Sequence, residues 1–322
     1  MYLPISGEMK GWIRLLNGSS EVFCLKTDFS KENTGDSGKN AFGRTSVLNI
    51  SASAKEGKTY LKELGFTAPF KVMTPFEQEN GGMKIMMLMA SAGIMEGDVQ
   101  EISICTERGA SLECTSQSFE KIHKMGDGYA VRNIRLTVGA GSFLDYSPMP
   151  VIPFADSAFK ASTDIVLEDD SSSLIWQEIM ACGRAARGER FSYRFYHSGI
   201  RIWQQEKLLY REKCRFNPPE TMMEGIGLFE GYSHMASLLL FHMGISDELL
   251  TRFREYVEGL PYVCGGVTRT ASGDVAVRIF SNQAWEVEAV CSTLKDWAKQ
   301  DRIEYFATGR VKGTKSYRSL LI

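Results

Sequence analysis

The 322-residue chain carries 37 lysines and arginines against 39 acids, a formal charge of −2, with 43% hydrophobic and 24% charged residues. This is ordinary globular usage and argues against a disordered or fibrous chain. It leaves no global basic field to draw nucleic acid or anionic lipid, and the length admits one large domain or two.

Seven cysteines, Cys24, Cys105, Cys114, Cys182, Cys214, Cys264 and Cys291, are an odd number, widely spread and without a C-x-x-C pair. That pattern suits reduced thiols in a cytosol. The first twenty residues hold no continuous apolar leader segment, and no later run reaches bilayer-spanning length. The reading is a soluble, cytoplasmic protein with no nucleic-acid and no membrane partner.

In chain order, residues 1–42 read as a loose N-terminal extension, because 28–40 is polar and glycine-bearing. Leu48, Ile50 and Ala52 then alternate with Asn49, Ser51 and Ser53, and a Gly57 turn leads to a second strand at 59–64, which makes a hairpin. Residues 84–90 are apolar after Lys84 and bounded by Gly81-Gly82 and Gly93, as in a strand buried on both faces. Its methionines suit either core filling or soft-metal ligation. Turns beginning at Gly109, Gly139 and Asp169, with Ser198-Gly199 in the same phase, point to stacked β units. These are either a solenoid or the hairpins of a large layered sheet.

The character shifts after Asn217-Pro218-Pro219. A strand at 231–242 is followed by a helix from the Ser246 cap to Glu258, stopped by Gly259 and Pro261. Ser272-Gly273 joins a hairpin of 266–271 and 274–280. Asn282 opens a second helix reaching Lys299, with Trp285, Ala289, Leu294 and Trp297 near one face. The fold class is therefore mainly β. A large layered or solenoid-like body spans 43–217, a smaller α+β portion with two helices spans 218–300 and packs on it, and a basic tail follows at 301–322.

No G-x-S-x-G elbow, Walker A loop, G-x-G-x-x-G fingerprint or H-E-x-x-H motif is present. His123, His197, His234 and His242 show no zinc spacing. The acids are more suggestive: Asp98 follows the methionine strand, Asp156 follows Pro153-Phe154-Ala155, and Glu178 and Glu189 bracket the start of a run at 183–191. Hard oxygen donors at loops can pass a divalent cation along without trapping it, although scattered acids are also ordinary solvated surface. The run itself, Gly183-Arg184-Ala185-Ala186-Arg187-Gly188-Glu189-Arg190-Phe191, is either a functional loop at a strand end or a turn stapled by one Arg–Glu pair.

Several runs between about 43 and 297 together resemble the UreD, or UreH, family of urease accessory proteins. Gly57-Lys58-Thr59 and Ala68-Pro69-Phe70-Lys71-Val72 resemble its G-x-T and A-P-L-K-V runs. Gly93, Gly97 and Asp98 fit a G-G-x-x-x-G-D segment with Ala92 in the first glycine's place, and Thr115, Gln117 and Lys121 fit T-x-Q-x-x-x-K-[IV]. Pro148 to Phe154 fits L-P-x-x-x-I-x-F, with Ser147 in the leucine's place. Gly183, Arg184, Gly188, Glu189 and Phe191 fit G-R-x-x-x-G-E-x-F, with Arg190 inside that structural motif.

The resemblance implies a non-enzymatic protein, mostly β with a few helices. It would bind the urease apoprotein, form a complex with the accessory proteins UreF and UreG, the latter a GTPase, and help deliver nickel. Nickel would be in transit, with no tightly bound cofactor. Family members are thought to offer the ion an internal passage, and Asp98, Asp156, Glu178 and Glu189 are the candidates for its lining here. Taken alone, the residues also fit a β-solenoid acid/base enzyme. A scaffold for another metal centre fits too, and would gather Cys105, Cys114 and Cys182.

Overall fold

The structure, a computed structural model, describes residues 45–307, with side chains described to 302. Residues 1–42 and most of the basic tail lie outside the described residues. The first hairpin forms as the alternation requires: β1 (Thr45–Lys55) pairs antiparallel with β2 (Lys58–Phe66). Short strands β3 (Phe70–Val72) and β4 (Phe76–Glu77) flank the methionine strand β5 (Met83–Met89).

From there the chain alternates between two sheets. Strands β6 (Val99–Thr106), β9 (Ala130–Val138), β12 (Ala158–Leu167) and β14 (Phe195–Gln204) run parallel in one sheet, beside β1. Strands β5, β7 (Ser111–Ser116), β10 (Phe143–Ser147) and β13 (Ser173–Ala181) run parallel in the other. The short strands β8 (Glu120–Ile122) and β11 (Val151–Pro153) lie on the return paths.

The turns at Gly109, Gly139 and Asp169 stack as a repeat should. Gly109 N–H donates to Ala140 O at 3.1 Å, Phe143 N–H to Ala110 O at 2.8 Å and Ser173 N–H to Ser142 O at 2.9 Å. Ser198-Gly199, expected in the same phase, instead lies inside β14; the turn follows at Gln205-Glu206. There β15 (Lys207–Phe216) doubles back antiparallel, because a two-residue turn can only return the chain to the same sheet. The first sheet has the order β15-β14-β12-β9-β6-β1-β2.

The second sheet is extended by β16 (His234–Phe241), β18 (Val275–Ser281) and β17 (Cys264–Arg269), all antiparallel. Helix α1 (Asp247–Glu258) starts where Ser246 Oγ accepts from Leu249 N–H at 3.1 Å, and Asp247 and Glu248 face the positive helix end. Helix α2 (Ala284–Ala307) passes beyond the expected end at Lys299. Its buried stripe is Val287, Val290, Cys291, Leu294 and Ala298, whereas Trp285 is 64% exposed and Ala289 is exposed. Both helices pack on the outer face of the second sheet around Ile175, Ile179, Leu238 and Val277.

Strand β5 departs from expectation: Met83, Ile85 and Met87 are buried, but Lys84, Met86 and Leu88 are only half-buried. The helices pack on β13, β16, β17 and β18, so they leave the outer face of β5 uncovered. Met83 and Met87 fill the core between the sheets, as flexible thioethers commonly do.

Candidate functional site

Parallel stacking forces a division of labour between the two ends of the sandwich. The tight turns from β6 to β7, from β9 to β10 and from β12 to β13 lie at one end. The longer returns, 90–98, 117–129, 148–157, 182–194 and 217–233, emerge at the other, and Gly93, Gly97, Thr115, Gln117, Lys121 and the 183–191 run sit there or on strand ends leading to it, whereas Gly57-Lys58-Thr59 lies at the tight-turn end.

The returns are zipped to one another. Ile94 N–H donates to Lys121 O at 2.8 Å, and His123 N–H to Ile94 O at 2.9 Å. Phe154 N–H donates to Ile122 O at 2.9 Å, and Asp156 N–H to Ser192 O at 2.9 Å. Two glycines are required by close approach: a Cβ on Gly93 (φ 145°) would lie 2.3 Å from Lys121 O, and one on Gly183 (φ 133°) 2.2 Å from Glu189 O. Thr115 lies on β7 opposite Met86 and Ser147, and Gln117 N–H donates to Met87 O at 2.9 Å. Gly97 N–H donates to Tyr129 O at 3.1 Å.

The run at 183–191 is a turn closed by a fork. Arg184 Nε donates to Glu189 Oε2 at 2.7 Å, its second nitrogen bonds Glu189 Oε1, and its guanidinium lies 4.0 Å over the Phe154 ring. The hydrogen bond from Arg184 holds the Glu189 carboxyl below its usual range. Gly188 closes the short 3₁₀ turn in the left-handed conformation. Asp98 accepts from Met95 N–H at 2.8 Å, and burial pushes its pKa up. Asp156 pairs with Lys124 at 2.9 Å on the surface. Three of the four candidate acids, Asp98, Asp156 and Glu189, therefore lie in the loop end.

Glu178 lies elsewhere, inside the sandwich. On β13 it shares a register row with Ser237 on β16 and Arg278 on β18. Facing it across the interior, Gln100, Arg132, Ala161, Ser198 and Cys214 form one row across β6, β9, β12, β14 and β15. The two rows touch: Tyr196 Oη donates to Glu178 Oε1 at 2.7 Å and Ser198 Oγ to Oε2 at 2.9 Å.

At one end of the row Arg132 donates from Nε to Gln100 Oε1 at 2.8 Å and pairs with Glu120. At the other, Arg278 pairs with Glu212, which also accepts from Tyr210 Oη at 2.5 Å. Strand by strand, residues on one side of the row belong to one apolar cluster (Ile102, Ile134, Ile200, Trp176). Those on the other side belong to a second (Ala130, Phe159, Tyr196, Met180). The interior is thus two hydrocarbon cores with a polar layer between them.

Electrostatics differ along the row. Glu178 keeps some solvent contact, and desolvation raises its pKa against the hydrogen bonds from Tyr196 and Ser198. Burial also acts to raise Glu212, but Arg278 and the hydrogen bonds from Tyr210 and Cys214 prevail and hold it low. Folding therefore raises the proton affinity of Glu178. Its contribution to stability is full below the ordinary carboxyl value of 4.5 and is lost as pH rises through the folded-state value. Glu178→Gln has no proton to lose, so its melting temperature should gain on the wild type between about pH 4 and pH 7. A constant difference across that range, by calorimetry, would show that Glu178 is not desolvated.

The row reaches a cavity of about 90 Å³ at the loop end, lined by Gly93, Gln117, Glu120, Lys121, Arg132 and Tyr146 among others. Motif residues thus border the mouth nearest Arg132. Among the described residues no group of three or more His, Cys, Asp or Glu side chains gathers in metal-holding geometry, Cys105, Cys114 and Cys182 included. No helix of the described residues is long and apolar enough to cross a membrane.

A model of the UreD urease accessory protein family matches residues 44–306, nearly the whole described structure. The chain belongs to the UreD family. The urease accessory protein UreD of Acetivibrio thermocellus is 41% identical over 259 residues, 80% of this chain and 98% of that protein. The urease accessory protein UreH of Helicobacter pylori strain G27 is 37% identical over 240 residues, 74% of this chain and 89% of that one. A UreD of Lachnoclostridium phytofermentans is 28% identical over 245 residues. As a UreD-family member the chain is a urease accessory protein, and its relatives carry accessory names rather than enzyme names.

The row was legible only at Glu178. Its other members could have been found as polar residues on the apolar phase of period-two strands: Gln100 before Ile102, Arg132 between Ala130 and Ile134, Ser198 before Ile200.

Proposed function

We propose that this protein binds apo-urease in the cytoplasm together with UreF and the GTPase UreG, and helps deliver nickel to the urease active site. The polar row is the route along which the ion crosses the sandwich. The observation that supports this is the register-aligned layer of carboxylates, hydroxyls and sulfur between two apolar cores. A stable fold carries such a layer at a cost unless its charged members are paired or hydrogen-bonded, as Arg132, Glu178 and Glu212 are.

Glu120, Glu178 and Glu212 supply hard oxygen donors, and Cys214 and Met235 add softer ones near Arg278. Donors placed singly along a path bind a borderline divalent ion weakly enough to release it. Nickel is cargo, and the reading calls for no resident cofactor. Asp98, Asp156 and Glu189 stand at the loop end as candidates for the ion's entry or exit. Acid/base catalysis has less support, because Glu178 and Glu212 lie between two sheets and not on an open cleft.

The test is a cell that makes urease and the other accessory proteins, with this chain present or deleted. Deletion should leave apo-urease assembled but poor in nickel by elemental analysis, and full-length chain supplied in trans should restore the metal. Equal nickel content with and without the chain refutes the reading.

A further inference from the structure

Among the described residues the two most exposed large apolar side chains are Met222, at 81%, and Ile226, at 98%. They sit four residues apart on the return at 217–233, and this return is firmly held. Met223 and Phe229 are buried, 3% and 1% exposed, and Phe229 packs edge-on against Phe191, Phe216 and Phe280. Gly225 N–H donates to Met222 O at 2.9 Å, Phe229 N–H to Met223 O at 3.1 Å and Gly227 N–H to Glu230 Oε1 at 2.7 Å.

The 183–191 run supplies the mount. Arg190 reaches Glu224 at 2.9 Å and donates to Gly231 O and Tyr232 O at 3.2 and 3.1 Å, while Phe191 touches Phe229. Arg190 and Phe191 thus fix a return whose outward apolar groups, Met222 and Ile226, stay exposed among the described residues.

We propose that Met222 and Ile226 are paired anchors of a protein-docking surface, and that the partner presents an apolar pocket rimmed by lysine or arginine. The rim chemistry follows from charge. Residues 217–233 contain Glu220, Glu224 and Glu230 and no basic residue, and Arg190 pairs only with Glu224. A preorganised apolar pair within an acidic collar is the arrangement in which a few side chains carry most of the binding and the surrounding charge selects the partner. The inference rests on the accessory-protein reading and adds to it the surface that engages a partner.

The experiment uses full-length chain, purified apo-urease and each of the other urease accessory proteins. Met222→Ser with Ile226→Ser should leave the melting temperature unchanged and weaken binding to at least one of these proteins about tenfold or more. Glu220→Lys, an exposed charge reversal, should weaken the same interaction. If both variants bind every partner as the wild type does, the surface is wrong while the accessory reading stands. A wild-type chain that binds none of the partners defeats both.

Discussion

Replacing Glu178 by alanine should lower nickel-dependent urease activation at least about tenfold while the chain still folds and co-purifies with its partners. Glu178 stands midway along the row, touching the opposite sheet through Tyr196 and Ser198. Between unit charges 4 Å apart at an effective dielectric near 20, Coulomb's law gives about 4 kcal/mol. An ion moving along the layer between the two hydrocarbon cores without this carboxylate therefore meets a higher barrier. Glu178→Gln keeps one accepting oxygen for Tyr196 and loses the charge, so it should behave like alanine in activation, and Glu178→Asp should recover part of the rate. Full activation by the alanine variant would mean that nickel does not travel by the row.

The second large effect is on stability. Arg132→Met should cost about 3–5 kcal/mol in urea unfolding, because it strands Glu120 and Gln100 in the interior. Arg132 is 8% exposed, and although burial works against its charge, Glu120 keeps it firmly protonated. Adding Glu120→Gln to Arg132→Met should return part of the loss, since no unpaired carboxylate then remains. A loss below about 1 kcal/mol for Arg132→Met would place the pair in the class of surface ion pairs.

How much of this was readable beforehand depends on whether the signal is local. The β1–β2 hairpin, the Ser246 cap and the stacked turns at Gly109, Gly139 and Asp169 depend on residues near in sequence, and all of them formed. Ser198-Gly199 misled because a small-residue pair inside a strand looks like a turn; what ended the stack was the Gln205-Glu206 reversal. Trp285, expected near one face of α2 with Ala289, Leu294 and Trp297, falls off the buried stripe, which follows the spacing of Val287, Val290 and Leu294.

The site was half-visible for the same reason. The motif residues announce the loop end, where Arg184 and Glu189 meet within one short turn. Glu178 was visible as an acid in an apolar strand, but its neighbours Arg132, Ser198 and Arg278 come from strands far apart in the chain. Only the register of two sheets brings them level.

The asymmetry of the sandwich also bears on how such a protein can diversify. Strand spacing is set where the chain reverses tightly, through backbone bonds such as Phe143 to Ala110 and Ser173 to Ser142. The opposite rim is held by backbone bonds as well, but its connections are longer. Insertions there can lengthen or reshape the contact edge between lineages while the pleated frame, and the level at which its inner polar groups meet, stays in step.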